Sequence, residues 1–200
     1  MNLPNKLTVS RLVLTVVFVA LFYLPVANRI SIALIIFALA SITDYLDGAI
    51  ARSRNLVTNF GKLMDPLADK ILMCSALTLL ALEDMSAAHD PRIPAWAVVV
   101  VMSREFFVTG IRLIAVSQGV VLAAEKLGKH KTVWQIVTAL YFMLWHASTE
   151  PMFNWLAPVY QVKLLSPPIF GMFCIVMMTS LTLISGFSYF WKNRAMFNDA

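Results

Sequence analysis

The sequence predicts an all-α integral membrane protein, a bundle of six transmembrane helices with a short N-terminal interfacial helix. Composition is the first reason, because 60% of the 200 residues are hydrophobic and only 14% are charged, whereas about a quarter of a soluble domain is charged. The second is a series of six apolar stretches, each close to the ~20 residues that cross a bilayer. The third is a bias of cationic side chains toward alternate loops. We expect one membrane domain over residues 1–200.

The first element is the segment LPNKLTVSR, which is amphipathic and predicts the interfacial helix, with Pro4 in its first turn. The six spans are predicted at residues 12–27, 30–51, 60–82, 94–116, 132–147 and 167–191. Between the last two spans, ASTEPMFNWLAPVY combines prolines with Trp155 and Tyr160. This mixture predicts a loop anchored at the membrane interface by aromatic rings.

Basic residues predict the orientation of the bundle. With the N-terminus in the cytoplasm, the opposite side carries only Arg29, Arg92 and Lys163. The cytoplasmic segments then carry Lys6, Arg11, Arg52, Arg54, Lys62, Lys126, Lys129, Lys131, Lys192 and Arg194. This positive-inside bias predicts a multi-pass protein of the cell inner (plasma) membrane, with the segment between spans two and three on the cytoplasmic face. Because the cations flank apolar runs, the net charge of +5 does not indicate nucleic-acid binding.

That segment, residues 44–70, reads DYLDGAIARSRNLVTNFGKLMDPLADK. Asp44 and Asp47 are three apart and Asp65 and Asp69 are four apart, so each pair shares one helix face. The two helices are consecutive and should be antiparallel, which brings the four carboxylates together. Clustered carboxylates in an apolar setting need compensation, and hard oxygen ligands favour Mg²⁺ or Mn²⁺ over zinc. The sequence therefore predicts a metal site that handles phosphate groups, with one or two ions.

Small residues beside the aspartates indicate a ligand that approaches the backbone closely. Gly48, Ala51 and Gly61 leave the helix surfaces bare, and Arg52 can hold two phosphate oxygens. Ordinary polar helix ends are one alternative, which a cluster of four aspartates disfavours. An ion or proton pathway is another, but it predicts carboxylates spread through the membrane depth rather than crowded at one edge.

The spacing Asp-x2-Asp-Gly-x2-Ala-Arg-x8-Gly-x3-Asp-x3-Asp resembles the signature of the CDP-alcohol phosphotransferase family. The matching residues are Asp44, Asp47, Gly48, Ala51, Arg52, Gly61, Asp65 and Asp69. The resemblance implies a six-helix membrane enzyme, commonly a homodimer, in which Asp69 both ligates metal with the other three aspartates and acts as general base. It also implies a site for CDP-diacylglycerol, to which we assign Gly48, Ala51, Arg52, Thr58, Gly61, Asn5 and Thr8.

Four cations outside the motif predict where the second substrate binds. Arg104 and Arg112 are eight apart, near two helical turns, and Lys129 and Lys131 open the fifth span. Together they suit a phosphomonoester, although Glu105 is an alternative partner for one arginine.

The stretches PNKLTVSR, SREFFVTGIR and GKHKT resemble the phosphatidylglycerophosphate synthases of the same family. The expected reaction is transfer of the phosphatidyl group of CDP-diacylglycerol to sn-glycerol 3-phosphate. Phosphatidylglycerol (a cardiolipin synthase) and inositol phosphate (a phosphatidylinositol phosphate synthase) remain alternative acceptors. Outside the family, a membrane prenyltransferase lacks the Gly-x-x-Ala-Arg element, and an ion transporter is the alternative of another class.

Overall fold

The computed structural model describes residues 3–53, 59–82, 92–120, 122 and 126–194, and within these the side chains of 3–8, 44–53, 59–66, 117 and 126 lie outside the description. The described residues form helices and no strand. The helices are α1 (Leu3–Tyr23), α2 (Arg29–Ser53), α3 (Asn59–Leu82), α4 (Ala95–Ser117), α5 (Lys126–Ala147), α6 (Ala157–Gln161) and α7 (Met172–Asn193). The predicted all-α class is confirmed.

Each of the six predicted spans overlaps one long helix. α2, α3 and α4 agree with the prediction within two residues at both ends, whereas α1 and α5 begin nine and six residues earlier than predicted and α7 begins five residues later. Two segments also differ in kind from the prediction. No separate interfacial helix precedes the first span, because α1 runs unbroken from Leu3, with Pro4 in its first turn. The interfacial loop before the last span is partly helical: 3-10 turns at Pro151–Leu156 and Lys163–Leu165 flank α6. A π-helical turn at Pro167–Gly171 then leads into α7.

The apolar character of these helices is uneven. Within the described residues, one helical stretch, Pro167–Asn193, is long and apolar enough by itself to cross a membrane. Val9–Tyr23 and Arg29–Thr43, the parts of α1 and α2 whose side chains are described, are apolar but shorter.

The core consists of tightly packed aromatic and aliphatic side chains of the long helices. α1 packs against α2 and α3, and α7 packs against α4 and α5. Phe18 and Phe37 are fully buried with ring centroids 5.9 Å apart, and Phe142 and Met178 are buried in the other half of the bundle. A Cβ on Gly171 would lie 3.0 Å from Cζ of Phe142, so glycine permits the π-helical turn to touch α5.

Glu150 fixes the beginning of α2 from a distant part of the chain. Its carboxylate accepts hydrogen bonds from the backbone amides of Ile30 (2.9 Å) and Ser31 (2.7 Å) and from the Ser31 hydroxyl (2.6 Å). The first amides of a helix have no partner within the helix, and the helix dipole favours a negative charge there. Asn28 Oδ1 in turn accepts from the backbone amide of Met152 at 3.0 Å. The α1–α2 turn is thereby joined to the segment after α5.

Candidate active site

The aspartate motif is divided between two helices that contact each other. Asp44 and Asp47 lie in roughly the last three turns of α2, and Asp65 and Asp69 lie in roughly the first three turns of α3. The antiparallel order that the sequence predicts places these stretches at one end of the bundle. Of the four side chains only that of Asp69 is described, and it is exposed.

The predicted CDP-diacylglycerol residues lie on the same helices or outside the described part of the chain. Gly48, Ala51 and Arg52 follow the aspartates on α2, and Gly61 precedes them on α3. Asn5 and Thr8 lie in the first two turns of α1, and Thr58 lies outside the described residues.

The donor set at these helix ends fits a hard divalent cation. Four carboxylates on two adjoining helices supply oxygen ligands only, which suits Mg²⁺ or Mn²⁺. Among the residues with described side chains, no group of three His, Cys, Asp or Glu could hold a metal ion.

A cavity of about 400 Å³, here called the cationic cavity, opens between α3, α4, α5 and α7. All four cations that the sequence assigned to the second substrate line it. Its described lining consists of Lys70, Arg104, Glu105, Val108, Thr109, Arg112, Gly128, Lys129, Lys131, Thr132, Val133 and Tyr189. Five of these side chains are cationic and one is a carboxylate, so the lining carries a surplus of positive charge. Such a lining attracts and binds multiply charged anions.

Glu105 organises two of the cations in this cavity. Its Oε1 lies 3.3 Å from Nη1 of Arg104 and forms an ion pair with Nζ of Lys131. All three side chains are largely buried, so their charges are only weakly screened. The expected pairing of Glu105 with an arginine is confirmed for Arg104. The Lys131 pair was not foreseen, because it joins two helices.

Arg112 has a different partner, the buried Tyr189 of α7. Its Nε donates a hydrogen bond to the tyrosine hydroxyl over 3.1 Å, and the guanidinium carbon lies 5.6 Å from the ring centroid. Because Nε of Arg112 donates to Tyr189, the two terminal nitrogens of the guanidinium group are the ones that could bind an anion. Tyr189 was not predicted, because its only signal in the sequence is its place in an apolar stretch.

Two glycines make room for Arg104 because they have no side chain. A Cβ on Gly186 of α7 would lie 3.0 Å from Cγ of Arg104, and one on Gly128 of α5 would lie 3.6 Å from its Nη2. The arginine stem therefore passes between α7 and α5 where neither helix carries a side chain. Lys70 is a further cavity residue that was not predicted, and its Nζ donates to the Thr109 hydroxyl.

A second, small cavity of about 30 Å³ adjoins the cationic cavity and is lined in part by Asp69. The two cavities share Lys70, Glu105, Lys131 and Thr132. Asp69 and Gln135 line only the small one. A ligand whose anionic group lies among the five cations can therefore extend toward the Asp69 carboxylate.

This arrangement belongs to a known class of enzymes. A sequence model of the CDP-alcohol phosphatidyltransferase family matches residues 1–191, so the chain belongs to that family. It is similar to the CDP-diacylglycerol–glycerol-3-phosphate 3-phosphatidyltransferase of Bacillus subtilis, with 38% identity over 96% of this chain and 95% of that protein. A protein with the same name from Rickettsia typhi is 33% identical over 98% of this chain and 99% of its own length. A third, from Haemophilus influenzae, is 35% identical over 72% of this chain and 76% of its own.

Proposed function

We propose that this protein transfers the phosphatidyl group of CDP-diacylglycerol to sn-glycerol 3-phosphate, giving phosphatidylglycerophosphate and CMP. The observation that carries the proposal is the cationic cavity, which gathers Arg104, Arg112, Lys129 and Lys131 beside the small cavity of Asp69. A surplus of cations suits a phosphomonoester dianion. Relatives that align over nearly the whole chain bear the name of this transferase.

In the proposed reaction, the cations hold the phosphate of the acceptor and thereby fix the position of its hydroxyl end. The 1-hydroxyl oxygen attacks the phosphorus that carries diacylglycerol, and a new P–O bond forms. The P–O bond to CMP breaks, and CMP leaves with the electron pair. Asp69 takes the proton of the attacking hydroxyl as general base.

We propose Mg²⁺ (or Mn²⁺) as the cofactor, held by Asp44, Asp47, Asp65 and Asp69. When bound, such an ion supplies positive charge that stabilises the pyrophosphate oxygens. The nucleotide part of CDP-diacylglycerol is assigned to the residues around the motif. These are Gly48, Ala51, Arg52, Thr58, Gly61, Asn5 and Thr8.

We also propose that the six long helices cross a bilayer, with the active site on the cytoplasmic face of the inner (plasma) membrane. Large apolar side chains cover the outside of the bundle: Leu113 and Phe187, for example, are 61% and 67% exposed. Apolar exteriors of this extent suit contact with lipid. An apolar groove of about 370 Å³ between α1, α3 and α4 begins beside Lys70 and suits an acyl chain. The homodimer implied by the family resemblance remains a proposal, to be tested by cross-linking in membranes.

The direct test uses the purified protein with Mg²⁺, CDP-diacylglycerol and glycerol 3-phosphate. We expect release of CMP together with a phosphorylated lipid, measured by chromatography and mass spectrometry. Asp69→Asn should lower kcat by at least about 100-fold, since it removes the general base. Asp199→Asn, which also removes one carboxylate but lies beyond residues 1–191, is the matched control and should retain activity. Full activity of Asp69→Asn would refute the assignment of the base.

Acceptor specificity separates the alternatives. Phosphatidylglycerol is a phosphodiester with one negative charge and two chains, so it fits the cationic cavity less well than glycerol 3-phosphate does. Faster CMP release with phosphatidylglycerol would indicate a cardiolipin synthase, and faster release with inositol phosphate would indicate a phosphatidylinositol phosphate synthase. Ion flux in liposomes without any CMP would support the transporter.

A further inference from the structure

The side chain of Gln135 is a buried donor without a hydrogen-bond partner among the described residues. It is only 3% exposed, and its Nε2 is paired with no described atom. An unpaired buried amide destabilises the folded protein, so a retained one indicates a missing partner. Gln135 lies four residues after Lys131, on the same face of α5, and both line the small cavity.

The small cavity has room for a hydroxyl group. Its volume of about 30 Å³ exceeds the roughly 10–15 Å³ that a single water requires. Most of its wall is polar, and the less polar part comes from Met73, Cys74 and Val101. The polar lining residues are Asp69, Lys70, Glu105, Lys131, Thr132 and Gln135. An occupant must therefore be small, polar and able to accept a hydrogen bond from an amide.

The hydroxyl end of glycerol 3-phosphate meets these requirements. Its phosphate occupies the cationic cavity, and the shared wall of Lys70, Lys131 and Thr132 leads from there into the small cavity. Two hydroxyls on neighbouring carbons then arrive together. The one on carbon 1 faces Asp69 and reacts, and the one on carbon 2 remains for a neighbouring donor.

We propose that Gln135 is a specificity-determining residue whose Nε2 donates a hydrogen bond to the 2-hydroxyl of the acceptor. The inference rests on the proposed function and assigns to Gln135 a contact that the aspartate motif and the cations do not supply. The contact selects acceptors with vicinal hydroxyls, because an acceptor without the second hydroxyl leaves the amide buried and unpaired.

The test compares glycerol 3-phosphate with 3-hydroxypropyl phosphate, which has the phosphate and the reacting hydroxyl but lacks the 2-hydroxyl. The wild type should prefer glycerol 3-phosphate by about tenfold or more in kcat/KM, the factor that corresponds to one hydrogen bond. Gln135→Met keeps the length of the side chain and removes the donor. It should reduce the preference to within about twofold, by lowering kcat/KM for glycerol 3-phosphate and leaving that for the analogue nearly unchanged.

Thr138→Val is the matched control, since it removes a buried polar group one turn further along α5. Thr138 bonds only to the backbone of Trp134 and Cys174 and does not line the small cavity, so the preference should persist. A wild type that uses both acceptors equally overturns the inference. An equal loss for both acceptors in Gln135→Met also overturns it and assigns the amide to a bound water or to packing. A wild type that releases no CMP with either acceptor instead refutes the proposed function.

Discussion

The hydroxyl of Tyr189 offers a sharp test of how the cationic cavity binds a phosphate. Tyr189→Phe removes the acceptor of the 3.1 Å hydrogen bond from Nε of Arg112 but keeps the ring 5.6 Å from the guanidinium carbon. Hydrogen bonds to charged groups contribute about 1.5–3 kcal/mol. Water in the cavity can replace part of that bond, so we take the lower figure of about 1.5 kcal/mol. This corresponds to a KM for glycerol 3-phosphate about tenfold higher.

The assay is CMP release at saturating CDP-diacylglycerol over a range of glycerol 3-phosphate concentrations. We expect kcat of Tyr189→Phe to stay within about twofold, because the reacting groups are untouched. Tyr141→Phe is the matched control: it also removes a buried tyrosine hydroxyl, whose bond to the Leu165 carbonyl spans 2.9 Å far from the cavity. An unchanged KM in Tyr189→Phe, or an equal rise in Tyr141→Phe, would show that Tyr189 does not orient Arg112.

Three further predictions concern packing, helix capping and metal. Gly186→Ala places a Cβ 3.0 Å from Cγ of Arg104 and should raise KM for glycerol 3-phosphate several-fold. Gly110→Ala is the control, because its Cβ meets nothing within 4 Å and KM should stay unchanged. The same KM in both variants would contradict the packing argument. Glu150→Gln weakens three hydrogen bonds at the start of α2 and should lower the free energy of unfolding by about 1–2 kcal/mol. The melting temperature in detergent should then fall by several degrees. An unaltered melting curve would count against the cap. EDTA should abolish CMP release and added Mg²⁺ should restore it, so activity that persists in EDTA would exclude the metal site.

The long helices were predictable from the sequence because length and apolarity determine them almost alone. α3 and α4 begin within one residue of the predicted positions, at Asn59 and Ala95. The predicted N-terminal helix is present, but it is the first part of α1 rather than a separate element. Pro4 can begin a helix, and nothing between it and the apolar run breaks one.

The candidate site was predictable where its charged residues follow the period of one helix or open the next one. Arg104 and Arg112 met this condition, and the structure brings them into one cavity with the lysines of α5. Tyr189 and Gln135 did not, because their roles depend on the distance between helices. Gly186 helps to set the distance between α7 and α4, because its lack of a side chain lets α7 approach Arg104. No spacing pattern in the sequence predicts this contact.

The Glu150 cap has a consequence for the position of the aspartates, because it fixes the first turn of α2. Asp44 lies about 20 Å along α2 from Ser31, at about 1.5 Å per residue. A tilt of about 5° at the capped end would therefore swing the backbone of Asp44 by about 1.7 Å. Metal–ligand distances tolerate only about 0.2 Å. Glu150 thus fixes the direction of α2, whose other end carries two of the proposed metal ligands. A substitution of Glu150 can therefore displace these ligands by changing the tilt of the helix, without touching the proposed metal site.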